Sequence, residues 1–178
     1  MSALLIPFLL LAAFGLMTSI ACHIASLFGV PFSDGSPVWG LHMGIFIVWL
    51  PTVLIASRMA RYGKRSDFWR LALSGCPAWA RYALYGLFAY AALNFVLGFF
   101  FTGGQSGSSG RPVVGHEVRL FSGHWMVFYG AALATLYSAV KNPLLLRDRK
   151  CVRGHDVSPL DQFCPKCGAP LEQISSMV

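Results

Sequence analysis

Four long apolar segments, separated by short polar connections, constrain the fold of this chain more than any other feature. Each is close to the roughly 20 residues that a helix needs to cross the hydrocarbon core of a bilayer. The chain is 56% hydrophobic and 12% charged, and only Asp34, Asp67 and Glu117 among its acidic residues precede residue 148. Soluble domains carry roughly a quarter charged residues, so the bilayer must be the solvent for most of this chain. The sequence therefore predicts an all-α membrane protein, a bundle of four transmembrane helices over residues 4–29, 38–57, 77–101 and 120–140.

The first segment has a competing interpretation as a secretory signal peptide. Residues 19–22, Ser-Ile-Ala-Cys, faintly resemble a lipoprotein cleavage site. However, no Lys or Arg precedes the segment, and its apolar run exceeds the roughly 7–15 residues of a signal core. We therefore expect this segment to be retained as a helix.

The distribution of basic residues predicts the orientation of the bundle. Lys and Arg are absent before Arg58, and they then concentrate in the connection 58–76 and in the tail after the fourth segment. Basic residues collect on the cytoplasmic side of membrane proteins. We expect a multi-pass protein of a bacterial-type inner (plasma) membrane, with both termini cytoplasmic. The net charge of +7 is then explained by contact with anionic lipid headgroups, and no nucleic-acid partner is expected.

The C-terminal tail carries four residues of the type and spacing that bind zinc. Cys151 and His155 are separated by three residues, and Cys164 and Cys167 by two. Thiolate and imidazole ligands suit zinc, and four of them close a tetrahedral site. A tail this short has almost no hydrophobic core, so the metal would supply its folding energy. A disulfide is the poorer alternative, because the tail is expected in the reducing cytoplasm.

The same residues resemble the short zinc ribbon that is appended to many bacterial proteins. The resemblance rests on Cys-x-x-Gly-His, a short spacer and Phe-Cys-Pro-x-Cys-Gly-x-Pro-Leu, and it covers residues 151–171 only. A histidine takes the second ligand position. The resemblance implies that the metal ligands are Cys151, His155, Cys164 and Cys167. Structural zinc is expected here, and iron and a reactive or empty site are the alternatives. Because all four ligands come from the protein, no position stays open for chemistry.

The remaining histidines predict a possible second site on the outer side of the membrane. His23, His42 and His124 lie near the outer ends of three segments, and His116 lies in the outer loop. Two imidazoles from facing helices can ligate haem b, and three can hold copper or zinc. Ionisable residues in a span are functional candidates by default. A purely structural role and a proton-linked role are the alternatives.

Small residues share a helical stripe with two of these histidines. Such residues mark helix contacts in membranes, so the rings of His23 and His124 are expected to point into the bundle. Asn94 and Tyr90 are candidates for a polar pocket, although interhelical hydrogen bonding is the commoner use of such residues. Asp34 and Glu117, together with His116, are candidates for a lid or a second shell of the outer site.

The sequence predicts a function of assembly more readily than a reaction. It contains no nucleotide-binding loop, nucleophile elbow or paired carboxylates, which disfavours an enzyme. We expect a transmembrane domain (1–145) and a cytoplasmic zinc ribbon (148–178) that together serve as an interaction module for a membrane complex or a cytoplasmic protein partner. The alternative is a small membrane redox or metal-handling protein that uses the outer histidines. A third, weaker hypothesis is an enzyme or transporter with an outer-facing pocket.

Overall fold

The computed structural model describes residues 2–30, 32, 37–102 and 116–172, and these residues are mostly helical. Short 3-10 turns at Pro37–Trp39, Arg65–Asp67 and Pro143–Leu146 join the longer elements. The α-helices are α1 (Ser2–Leu27), α2 (Gly40–Met59), α3 (Phe68–Ala72), α4 (Ala78–Thr102) and α5 (His116–Lys141), and the strands are β1 (Arg149–Lys150) and β2 (Asp156–Val157).

Three of the described helices are long and apolar enough to cross a membrane. These stretches are Leu4–Leu27, Pro37–Met59 and Ala78–Gly98, and they coincide within a few residues with the first three predicted segments. The fourth predicted segment lies within α5, which is helical but is not among these apolar helices. Three apolar helices are therefore confirmed, and the fourth crossing stays a prediction.

The position of α5 explains its more polar composition. This helix packs against α1 most extensively and also against α4 and α2. Three polar side chains along it, Ser122, Thr135 and Ser138, are completely buried, as are Trp125 and Leu136. Because much of α5 faces protein rather than its surroundings, it tolerates polar residues that would be costly against lipid tails. The outer surfaces of α1, α2 and α4, by contrast, expose many large apolar side chains.

The long helices alternate in direction. Leu5 near the start of α1, Met59 at the end of α2, and Leu136 and Leu145 lie in one buried cluster. We call this end of the bundle the tail end. At the opposite end, His23 of α1 meets residues of α4 and α5. The start of α1, the connection after α2 and the start of the C-terminal tail thus lie at the same end of the bundle.

The tail is attached to the bundle by contacts at this end. Arg58 Nε donates a hydrogen bond to the Leu146 carbonyl at 3.3 Å, and Arg61 lies 3.7 Å from the Asp148 carboxylate. The ion pair is exposed and contributes little stability. Leu145 and Leu146 are buried in the same cluster as Met59. The metal-ligand residues are therefore held close to the connection between α2 and α3.

Candidate metal centre

The structure brings the four predicted ligands of the tail together. One ligand atom from each of Cys151, His155, Cys164 and Cys167 lies within 4.8 Å of all the others. His155 Nδ1 is 3.5 Å from Cys151 Sγ and 3.6 Å from Cys164 Sγ. The sulfurs of Cys151 and Cys167 are 3.8 Å apart. Four soft and borderline donors therefore surround one point.

Two tight turns place these side chains. In the first turn, Gly154 N–H donates to the Cys151 carbonyl, and in the second Gly168 N–H donates to the Cys164 carbonyl, both at 2.8 Å. Both glycines have a positive φ, 80° and 70° respectively, a conformation that a side chain disfavours. The β1–β2 hairpin supports the first turn, and a bridge between Phe163 and Pro170 supports the second. The two turns face each other with the ligands between them.

The spacing of the ligand atoms fits zinc. Tetrahedral zinc with Zn–S bonds of about 2.3 Å and Zn–N bonds of about 2.1 Å places two sulfurs about 3.8 Å apart, and sulfur and nitrogen about 3.6 Å apart. Three of the six pair distances, Cys151–His155, Cys164–His155 and Cys151–Cys167, match these values, and all six are within 4.8 Å. The cluster is therefore compatible with a tetrahedral metal ion held entirely by protein ligands.

The cluster also favours a thiolate before any metal binds. Burial of the sulfur acts to raise the pKa of Cys151, but hydrogen bonds from the Arg153 and His155 backbone and from the thiols of Cys164 and Cys167 lower it to about 6. The thiolate is the form of cysteine that binds metal. At neutral pH the site therefore offers a charged ligand to an incoming cation.

The tail has little besides these ligands to hold it together. Its buried cluster consists of Cys151, Val157 and Cys164, with Ala169 and Leu171 packed against it. Two of the three buried members are themselves ligands. A core this small cannot offset the conformational entropy lost on ordering some 20 residues, so a bound metal is the natural source of stability.

At the opposite end of the bundle, His23 is buried in a hydrogen-bond network. Its Nδ1 is 2.8 Å from Ser122 Oγ, and its Nε2 is 2.6 Å from Tyr90 Oη. Ser122 Oγ donates to the Arg119 carbonyl at 3.0 Å, so it accepts a hydrogen bond from His23 Nδ1. The Tyr90 hydroxyl then donates to Nε2. Both nitrogens of His23 are engaged, and neither is free to ligate a metal.

His42 and His124 form a separate pair. Their ring centroids are 6.0 Å apart, and the rings are stacked with an angle of 21° between their planes. Trp125 Nε1 donates to His42 Nδ1 at 3.2 Å. The expectation that His124 points into the bundle is wrong, because its side chain is exposed, whereas the same expectation for His23 is confirmed.

The described histidines at this end do not form a three-ligand cluster. Among the residues that the structure describes, the tail cluster is the one group of three or more potential ligands whose atoms converge. His116 and Glu117 are the first residues of α5, but their side chains and the whole of Asp34 lie outside the described part of the structure. The roles predicted for these three residues at the outer site therefore stay predictions. A haem or copper site built on His23 gains no support from these contacts.

The two pocket candidates of α4 both connect helices. Tyr90 reaches His23 of α1, and Asn94 Nδ2 donates to the Arg119 carbonyl of α5 at 3.2 Å. These contacts match the alternative of interhelical hydrogen bonding. Sequence reasoning missed Ser122 and Trp125, the α5 partners of the two histidines. The available signal was weak: both lie beside His124 in sequence, on the faces of α5 that turn inward.

Comparison with known proteins gives no relative for the chain. No family model, no curated protein and no solved structure matches it. The likeness of residues 151–171 to a zinc ribbon is therefore supported only by the ligand cluster itself.

Proposed function

We propose that this protein is a four-span inner-membrane protein whose cytoplasmic tail is a zinc ribbon that docks a protein partner. The observation that carries the proposal is the convergence of Cys151, His155, Cys164 and Cys167 within 4.8 Å. Two tight turns around the ligands, one supported by a hairpin and one by a bridge, are what a short ribbon requires. With all four positions taken by protein, the zinc is structural and has no open site for catalysis.

The proposal includes a fourth membrane crossing, made by α5. α5 has 26 residues, enough to span the hydrocarbon core, and it is surrounded by three apolar helices. The shared position of the α1 start and the tail is expected for four crossings. The basic residues of the tail end then make it the cytoplasmic end.

The surface of the tail supports a docking role. Val152 in the first turn is 87% exposed, and Phe163 just before the second turn is 61% exposed. Leu160 is also exposed. Isolated apolar residues are common on protein surfaces. In a tail with so few apolar residues, however, exposure of three of them indicates a contact surface. The Arg58 hydrogen bond and the burial of Leu145 and Leu146 hold the start of the tail against the bundle, which supports a defined orientation of these side chains toward a partner.

The test is partner retention by full-length variants after chemical crosslinking in cells. We expect Phe163→Asp combined with Val152→Asp to reduce the yield of the main crosslinked partner about tenfold, because an aspartate on each apolar tip opposes its desolvation. Zinc content should not change. Phe163→Asp alone should also lose partner, and its matched control, Gln162→Asp, adds the same single charge at the neighbouring exposed position and should retain the partner. If deletion of residues 151–178 leaves every partner in place, the docking function is wrong.

A further inference from the structure

A slot separates α2 from α4 on one side of the bundle, with α5 as its floor. The slot contains a cavity of about 430 Å³, which falls within the range of small-molecule sites. Its walls are largely aromatic: Trp49 of α2, Tyr85 and Phe88 of α4, Phe128 of α5 and, toward the tail end, Trp69 of α3. None of the described residues that line the cavity is charged.

The stacked histidine pair lies at the other end of the same surface. His42 precedes Trp49 by seven residues on α2, and His124 precedes Phe128 by four on α5, so each histidine shares a helical face with a wall residue. Ring contacts connect the histidine pair to the cavity wall. The centroids of His124 and Phe128 are 4.5 Å apart, and those of Phe128 and Trp49 are 4.7 Å apart. The two imidazoles therefore extend the row of aromatic rings beyond the cavity, although neither lines the cavity itself.

The hydrogen bond from Trp125 determines which nitrogen of His42 carries the proton and can donate to a ligand. The indole N–H of Trp125 can only donate, so His42 Nδ1, 3.2 Å away, accepts. In the neutral ring the proton of His42 must then be on Nε2, and no described residue accepts a hydrogen bond from it. His124 is exposed and forms no hydrogen bond with the described residues. His42 Nε2–H is thus a donor without a described acceptor, on a ring that lies outside the cavity lining.

We propose that this slot binds a lipid-soluble quinone, with a ring carbonyl accepting from His42 Nε2 and the apolar tail lying in the aromatic cavity. A flat ring stacks well on imidazole and aromatic faces, and the carbonyl complements a neutral donor. An anionic phospholipid head would need cations that the lining lacks. A partner helix would need small residues, whereas these walls are bulky. The proposal is independent of the zinc tail.

The test is calorimetric titration of the purified full-length protein in detergent with a decyl-substituted benzoquinone. We expect saturable binding at one site per chain, weakened at least tenfold by His42→Leu and by Trp49→Leu. His124→Leu should weaken binding severalfold, and this variant breaks no described hydrogen bond, so a folding defect in His42→Leu would not obscure the result. The matched control is Trp79→Leu. Trp79 is 73% exposed and lines a different cleft, between α4 and α5, so its loss should leave affinity unchanged.

Three outcomes would overturn the proposal. The first is absence of saturable binding to the unchanged protein. The second is unchanged affinity in both Trp49→Leu and His124→Leu. The third is full displacement of the quinone by equimolar phosphatidylglycerol, which would assign the slot to a membrane phospholipid. A slot that instead holds a second copy of the chain would show no quinone binding and a loss of dimer in Trp49→Leu.

Discussion

At the residue scale, the same amino-acid type occupies two different environments at the two ends of this molecule. His155 is half-buried, with its Nδ1 among three sulfurs, whereas His23 is buried among hydroxyl groups that use both of its nitrogens. What separates a ligand from a packing residue is therefore the set of neighbouring atoms. The cysteine spacing around His155 indicates these neighbours in the sequence. The neighbours of His23, by contrast, are Tyr90 and Ser122, which lie 67 and 99 residues away on other helices.

The metal site gives the prediction that belongs to this scale. Replacing Cys164 by Ser removes one thiolate, and three ligands hold zinc far more weakly than four. We expect the purified Cys164→Ser variant to retain less than about a tenth of an equivalent of zinc, against about one for the unchanged protein, measured by ICP-MS. Cys22→Ser changes a cysteine of α1 that lies outside the cluster, and it should retain full zinc. Less than about half an equivalent in the unchanged protein would contradict the zinc assignment.

At the element scale, the contact between α1 and α5 depends on close approach. The Tyr129 ring of α5 lies directly over Gly15 of α1, and its hydroxyl donates to the Leu41 carbonyl of α2 at 2.8 Å. One aromatic side chain thereby joins three helices. Small residues that let helices approach closely are the common device of membrane bundles. The small-residue stripe of α1 was visible in the sequence, but nothing there indicated that an α5 tyrosine would fill it.

This contact predicts opposite effects for two glycine substitutions. A β-carbon at Gly15 would overlap the Tyr129 ring, so Gly15→Ala should destabilise the bundle by about 1–3 kcal/mol. Gly86 of α4 has nothing within 4 Å of the same added atom, so Gly86→Ala should be neutral or slightly stabilising because alanine favours helix. Thermal unfolding in detergent, followed by circular dichroism, measures both. Equal melting temperatures for the two variants would show that α1 and α5 are not packed in this way.

At the scale of the whole molecule, the bundle and the tail depend on different physics. The bundle buries helix faces against α5, while the tail has a small core made largely of its candidate ligands and contacts the connection after α2. The start of α1 and the tail share one end of the bundle, and the proposed four crossings predict that both termini lie on the same side of the membrane.

Reporter fusions test this arrangement. With four crossings and a cytoplasmic tail end, a green fluorescent protein fused at either terminus should fluoresce, whereas alkaline phosphatase fused there should be inactive. Alkaline phosphatase inserted between Thr102 and His116, at the opposite end, should be active. Activity of a C-terminal alkaline phosphatase fusion would show that the orientation is inverted, and unlike results at the two termini would show an odd number of crossings.

The sequence by itself determined the parts of this protein that depend on local pattern. Apolar length set the helices within a few residues, and cysteine and histidine spacing set the tail cluster, because both turns close over three or four residues. Only the tertiary structure decided that α5 is central, that His124 is exposed beside His42 while His23 is buried, and that an aromatic slot opens between α2 and α4. These features depend on how helices rotate and pack against one another. That rotation is set by side-chain volumes on several distant helices at once, and a single helix's periodicity does not contain it.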